Sequence, residues 1–262
     1  MTRPETIHHR EEVMGTVVTL DLYQPGGIDP DAVLGPVRAA VAELHEADRI
    51  FSLWRDGTPM SRLRRGEVTL GESPPEIAEV LAACHHAREA SGGWFDPWSM
   101  PDGLDPTGLV KGWAAERALD HLRGCGLLGA MVNAGGDLAT FGGPAEGEPF
   151  RIAVVSPANR HEIACVVEVE GALATSGEYE RGAHLIDPFT GVAHSAVASA
   201  SVTGPDLATC DALATALCVG GAPVEARIDA LAGYAWMTID SEGAMRHSGR
   251  FPLAHSGAEG RR

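Results

Sequence analysis

The sequence is poor in aromatic residues, which make up 5% of its 262 positions, and poor in positive charge, with 20 Lys and Arg against 36 Asp and Glu. A net charge of −16 disfavours nonspecific binding to nucleic acid or anionic lipid, because both present phosphate. Any phosphate ligand would need local help from backbone amides, a few basic side chains or a cation. No apolar run reaches the length of about 18 residues that a membrane span requires, and the opening MTRPETIHHREEVMG lacks the apolar core of a signal peptide. The expectation is a cytoplasmic chain without a membrane span. Cys84, Cys125, Cys165, Cys210 and Cys218 are odd in number, form no CxxC and sit mostly in apolar runs, as reduced core thiols do. Neither GxxxxGK[ST] nor GxGxxG opens the helix that carries Lys111, so neither of the commonest phosphate-cradling loops is available there. There is no internal repeat, long linker or low-complexity tract, which points to one domain over residues 1–255 and a frayed tail at 256–262.

What is present centres on Leu207 to Gly221, LATCDALATALCVGG. It follows Asp206, is dense in Ala and Leu, and closes on Gly220-Gly221, the pattern of a buried helix with a capping Asp and a glycine stop. Asp211 and Thr215, four residues apart, share one face of that helix. A carboxylate in apolar surroundings is costly unless paired, hydrogen-bonded or metal-bound, and carboxylate plus hydroxyl suits a hard cation such as Mg²⁺. The alternative is structural: Asp211 on a nearby backbone amide, and Thr215 bonded back to its own helix.

Around this helix the pattern alternates sheet and helix. Val18, Leu20 and Leu22 alternate with polar-leaning positions as a strand does, and helical spacing runs over 31–51, 75–90 and from about 110 to 122. Short strands are expected at 131–133, 151–155, 163–169 (Ile163, Cys165, Val167 and Val169 inward) and 196–202, then a helix over 224–231 and a hairpin through 235–243. The run Ser61-Arg62-Leu63-Arg64-Arg65 fits a solvated basic loop or an anion contact. Trp94, Phe95 and Trp98 beside Gly92-Gly93 fit a stacking surface for a flat ring or core under a loop. Gly108 and Lys111 open a helix whose free amides and point charge suit an anion. His184, three residues before Asp187, fits general-base chemistry or a braced turn.

Eight segments in order resemble the ApbE-type flavin transferases: MGT at 14–16, SRL at 61–63, SGGWFDP at 91–97, DPTGLVKGWAAERA at 105–118, VNAGGD at 132–137, ATSGEYERG at 174–182, HLIDPFTG at 184–191 and DALATAL at 211–217. The resemblance covers nearly the whole chain. It implies an α+β fold, a single T-fold-related domain of mixed, mainly antiparallel sheets packed with helices. It also implies a reaction in which FMN moves from FAD to a Ser or Thr hydroxyl in the FMN-binding domain of an acceptor flavoprotein, with release of AMP. By the same resemblance Asp211, Thr215 and the Gly108 carbonyl would hold Mg²⁺, with Mn²⁺ as a possible substitute. Met14, Trp54, Trp94, Phe95, Asp96, Asp105, Lys111, Ser176 and Gly177 would line the FAD site. His184 would act in catalysis, with Asp187 orienting it. Two departures stand out. Only eight residues separate Asp96 from Asp105, where many members carry a longer insertion, and the exported lipoprotein start of many bacterial members is missing, which implies an acceptor in or facing the cytosol. An FAD pyrophosphatase using the same site, and a non-catalytic FAD-binding protein, are the competing expectations.

Overall fold

The structure, a computed structural model, describes residues 5–26, 30–177 and 185–254. The strand expected from Val18, Leu20 and Leu22 is β2 (Thr16–Gln24), with all three side chains buried. It pairs antiparallel with a strand not foreseen, β1 (Glu5–Val13), across the two-residue turn Met14-Gly15. Both turn residues have positive φ, 55° and 70°, the backbone that joins tightly twisted antiparallel strands. Then follow β3 (Gly129–Ala134), β4 (Asp137–Gly142), β7 (Ala172–Gly177), β8 (Ser199–Gly204), β9 (Ala235–Ile239) and β10 (Met245–His247). Together they form an eight-stranded antiparallel sheet in the order β1-β2-β3-β4-β7-β8-β9-β10, and β5 (Phe150–Val155) pairs with β6 (Ile163–Val169) as a separate hairpin.

Side chains alternate across this sheet, so it is covered on both faces. Leu20, Val132, Ala174, Val202 and Trp236 point into a core shared with the helices α1 (Leu34–Phe51), α3 (Pro75–Ser91), α4 (Thr107–Asp120), α5 (Leu207–Gly220) and α6 (Ala222–Ala230). Their neighbours Leu138, Leu173, Ala235 and Met237 point the other way, onto Phe150, Val167 and Val169 of the β5–β6 hairpin. Helix α5 is buried nearly all round, as expected of a helix without a polar stripe. Asp206 caps it by accepting from the Thr209 amide at 2.8 Å, and Gly221, at φ 59°, ends it. Full burial of a Leu contributes roughly 1.5–3 kcal/mol, so Leu207, Leu213 and Leu217 alone anchor α5 firmly.

Four local expectations are corrected. The helix expected from residue 31 starts at Leu34, after a 3-10 turn over Pro30–Val33. Ser61 to Arg64 is not loop but part of a short helix α2 (Pro59–Arg64), started by the Thr58 hydroxyl accepting from the Ser61 amide at 3.2 Å. Ile163 is exposed rather than inward, because the β5–β6 register shifts between Val154 and Val155 and turns that end of the hairpin away. The strand expected at 196–202 runs from Ser199 to Gly204. Among the described residues no helix is long and apolar enough to cross a membrane, and residues 255–262 lie outside them. Cys84, Cys210 and Cys218 are buried thiols outside any disulfide; burial pushes Cys84 up to about 12, so it stays protonated.

Gln24, at the end of β2, is fully buried, and neither atom of its amide has a hydrogen-bond partner among the described residues. Removing an unsatisfied buried amide from a site of this kind gains about 1–2 kcal/mol. Gln24→Leu is therefore expected to raise Tm by about 2–6 °C in a scanning calorimeter. A lower Tm would show that the amide is satisfied in solution.

Candidate active site

Two neighbouring helices deliver the polar groups. On α5, Asp211 and Thr215 stand one turn apart as their spacing predicts, and Asp211 is only 4% exposed. The Thr215 hydroxyl lies 3.2 Å from the Ser176 hydroxyl on β7. On α4, Lys111 forms an ion pair with Asp137, and its Nζ is 3.9 Å from Asp211 Oδ2. Asp137 is held in turn by the Thr175 amide, which donates to its Oδ1 at 2.8 Å. Lys111 is the only lysine in the chain. A compact ammonium between two buried carboxylates is a different device from the planar guanidinium used elsewhere in this sequence.

A cleft of about 170 Å³ opens over these groups, and Trp94, Phe95, Asp96, Asp105, Gly108, Lys111, Ser176, Asp211 and Thr215 all line it. Volume does not single it out, since hollows of about 270 and 590 Å³ open beside Arg117 and beside Tyr234. Its donor set does. Its apolar wall is braced from behind: Asp96 accepts from Arg88 Nε at 2.8 Å, the Ser99 hydroxyl at 3.0 Å and the Trp98 amide at 3.0 Å. The Trp94 ring meets Phe189 edge-on with centroids 4.8 Å apart. Asp105 is also committed locally, accepting from the Thr107 amide at 2.9 Å and hydroxyl at 2.6 Å in the turn that leads into α4. Trp98 faces away and stacks on His85 at 4.1 Å.

Other expected site residues lie elsewhere. Met14 forms the β1–β2 turn, and Trp54, 97% exposed, follows α1; neither lines the cleft. Gly177 ends β7 opposite Ser199 and is not on the lining either. Asp187 accepts from the Phe189 amide at 2.8 Å, which holds its carboxyl below the usual range and commits it to its own turn. His184 lies outside the described residues. Two groups escaped the sequence reading. Asp137 follows the Gly135-Gly136 turn in the VNAGGD segment, and nothing local in the sequence gives it a role. Glu116 was not singled out, although its carboxylate accepts from the first two amides of α5 and burial pushes it up to about 7.

A sequence model of the ApbE family matches residues 14–101 and 101–233. The chain belongs to the ApbE family. Among relatives of this ApbE chain, the FAD:protein FMN transferase of Vibrio cholerae is 33% identical over 129 residues, 45% of this chain and 39% of its own. That of Rhodobacter capsulatus is 36% identical over 152 residues, 54% of this chain and 29% of its own. The chain thus spans about a third of these two relatives' length. In fold it is similar to the flavin transferase ApbE from Vibrio cholerae, with a TM-score of 0.78 at 20% identity over 97% of this chain and 98% of that one. The ApbE protein of Thermotoga maritima gives 0.76 at 20% identity over 94% and 97%. The mixed α+β architecture with antiparallel sheets is therefore that of solved ApbE structures.

The donor set of this ApbE cleft fits a hard divalent cation. Asp211 would supply a carboxylate, Thr215 a hydroxyl and Gly108 a main-chain carbonyl, all oxygen, and the three residues share one lining. Among the described residues no group of three or more His, Cys, Asp and Glu side chains is placed to hold a metal.

Proposed function

We propose that this chain is a Mg²⁺-dependent FAD:protein FMN transferase. The observation that carries the reading is the convergence of Asp211, Thr215, Gly108, Lys111 and Ser176 on one cleft walled by Trp94 and Phe95. In the reaction the acceptor Ser or Thr oxygen forms a bond to the FMN phosphorus, the bond from that phosphorus to the bridging oxygen breaks, and AMP leaves. Asp211, Thr215 and the Gly108 carbonyl would hold Mg²⁺, which would supply charge neutralisation at the pyrophosphate. The rest falls to the chain's own groups. Lys111, steadied by Asp137, places a fixed positive charge beside the phosphates. The Ser176 and Thr215 hydroxyls, already in contact, orient oxygen ligands without reorganisation. Trp94 and Phe95 present aromatic and apolar surface to the flavin and narrow the access of water. We assign the acceptor proton to His184 on the sequence resemblance alone, and Asp187, engaged by the Phe189 amide, shapes the turn that follows it.

Incubation with FAD, Mg²⁺ and an acceptor FMN-binding domain tests this. The expected product is an acceptor heavier by one FMN less water, with AMP released in equal amount. Bound FAD without covalent flavin would refute transfer, and free FMN plus AMP in the absence of acceptor would identify a pyrophosphatase instead.

A further inference from the structure

The face that α4 turns to α5 is built from residues four apart: Gly108, Gly112 and Glu116. The first lines the cleft beside Asp211 and Thr215. The second lets the helices touch, since a Cβ there would stand 2.6 Å from the Leu207 carbonyl oxygen and 3.0 Å from the Ala208 Cα. The third reaches across: Glu116 Oε1 accepts from the Leu207 amide at 2.7 Å and Oε2 from the Ala208 amide at 3.4 Å. With Asp206 on the Thr209 amide, two carboxylates satisfy three amides that a helix start leaves orphaned. Only one of the two comes from another helix. A carboxylate this desolvated, with Asp206 and Asp120 adding repulsion, is costly to keep on packing grounds alone.

We propose that Glu116 is a positioning residue for the cation site: by bridging α4 to the first amides of α5, it fixes the helix pair so that Gly108 stays beside Asp211 and Thr215. This rests on the cation reading above. Glu116 lies eight residues, about 12 Å along the helix, from Gly108, and touches neither substrate nor cation. Its influence travels through two packed helices. Outer residues that orient metal ligands typically change affinity about 10–100-fold when removed.

The test is Mn²⁺ affinity by electron paramagnetic resonance in the presence of FAD, together with amide exchange of the ligand-free protein. Glu116→Ala is expected to weaken Mn²⁺ binding at least about tenfold and to speed exchange at Leu207 and Ala208. Glu116→Gln, which keeps one acceptor, should fall between Ala and wild type, and serves as the deciding variant if Ala does not fold. Glu225→Ala removes a buried partner of Arg246 on α6, away from the α4–α5 seam, and controls for lost stability alone. Its Mn²⁺ affinity should stay within about twofold of wild type. Affinity in the Glu116 variants within about twofold of wild type, or an equal loss in Glu225→Ala, would overturn the positioning role while leaving the transferase reading intact. Wild-type protein that binds FAD but no Mn²⁺ would overturn both.

Discussion

Replacing Asp211 by Asn is expected to lower the rate of FMN transfer by about 10³-fold, equivalent to roughly 4 kcal/mol of transition-state stabilisation. Asn keeps the volume of the side chain and one acceptor oxygen, so what is lost is the charge and one oxygen able to meet a cation. That charge matters because Asp211 is buried and is the only carboxylate in the proposed donor set; Thr215 and the Gly108 carbonyl are neutral. Lys111, 3.9 Å away, would remain paired with Asp137, so no uncompensated buried cation is created. The fold should therefore survive with a Tm within a few degrees of wild type, and the loss should fall on kcat more than on the KM for FAD, whose flavin meets the Trp94 and Phe95 wall. Mass measurement of flavinylated acceptor against time gives the rate. A variant within about tenfold of wild type would mean that the cation, if used, is held elsewhere.

The residues that make this prediction possible were legible in the sequence to differing degrees. Helix α5 was plain, because Asp206, an Ala and Leu run and Gly221 are local signals that tertiary packing reinforces. The Asp211–Thr215 pair followed from helical spacing alone. Strand β1, ETIHHREEV, was not legible: it is a charged edge strand with one pairing partner, and its alternation lies between exposed and half-buried positions rather than polar and apolar ones. Strands β4 and β7 escaped for the opposite reason. DLATFG and ALATSG are mostly buried on both faces and mix small and polar residues with the apolar ones, so the period-two pattern is silent. Asp137 was hidden because its partner Lys111 lies 26 residues away and no local pattern joins them. Its one available signal was the rarity of lysine: a chain that uses Arg almost everywhere and Lys once has a carboxylate waiting for that Lys. Trp54, which the resemblance aligns with a pocket position, is almost fully solvent-exposed, so no packing signal marks it.

Gly112→Val is expected to be the most damaging single change in the helical layer, at about 3 kcal/mol, or a fall in Tm of roughly 10 °C. Propensity argues the other way. Valine is a better helix former than glycine by a few tenths of a kcal/mol, so a free helix would gain. The clash decides the sign, because even the first added carbon would stand 2.6 Å from the Leu207 carbonyl oxygen and 2.8 Å from its carbonyl carbon, which are backbone and cannot rotate aside. The helices must then separate by an ångström or so, and the separation opens the Glu116 bonds to Leu207 and Ala208 at one end and shifts Gly108 from Asp211 and Thr215 at the other. Stability and cation affinity should therefore fall together. Gly35→Val on α1 is the matched control: nothing lies within 4 Å of its Cβ position, so that substitution should leave Tm within about 2 °C of wild type. Equal melting temperatures for the two valine variants would mean that the α4–α5 contact is looser in solution than the Gly112 geometry requires, and the coupling of fold to site through that contact would be lost with it.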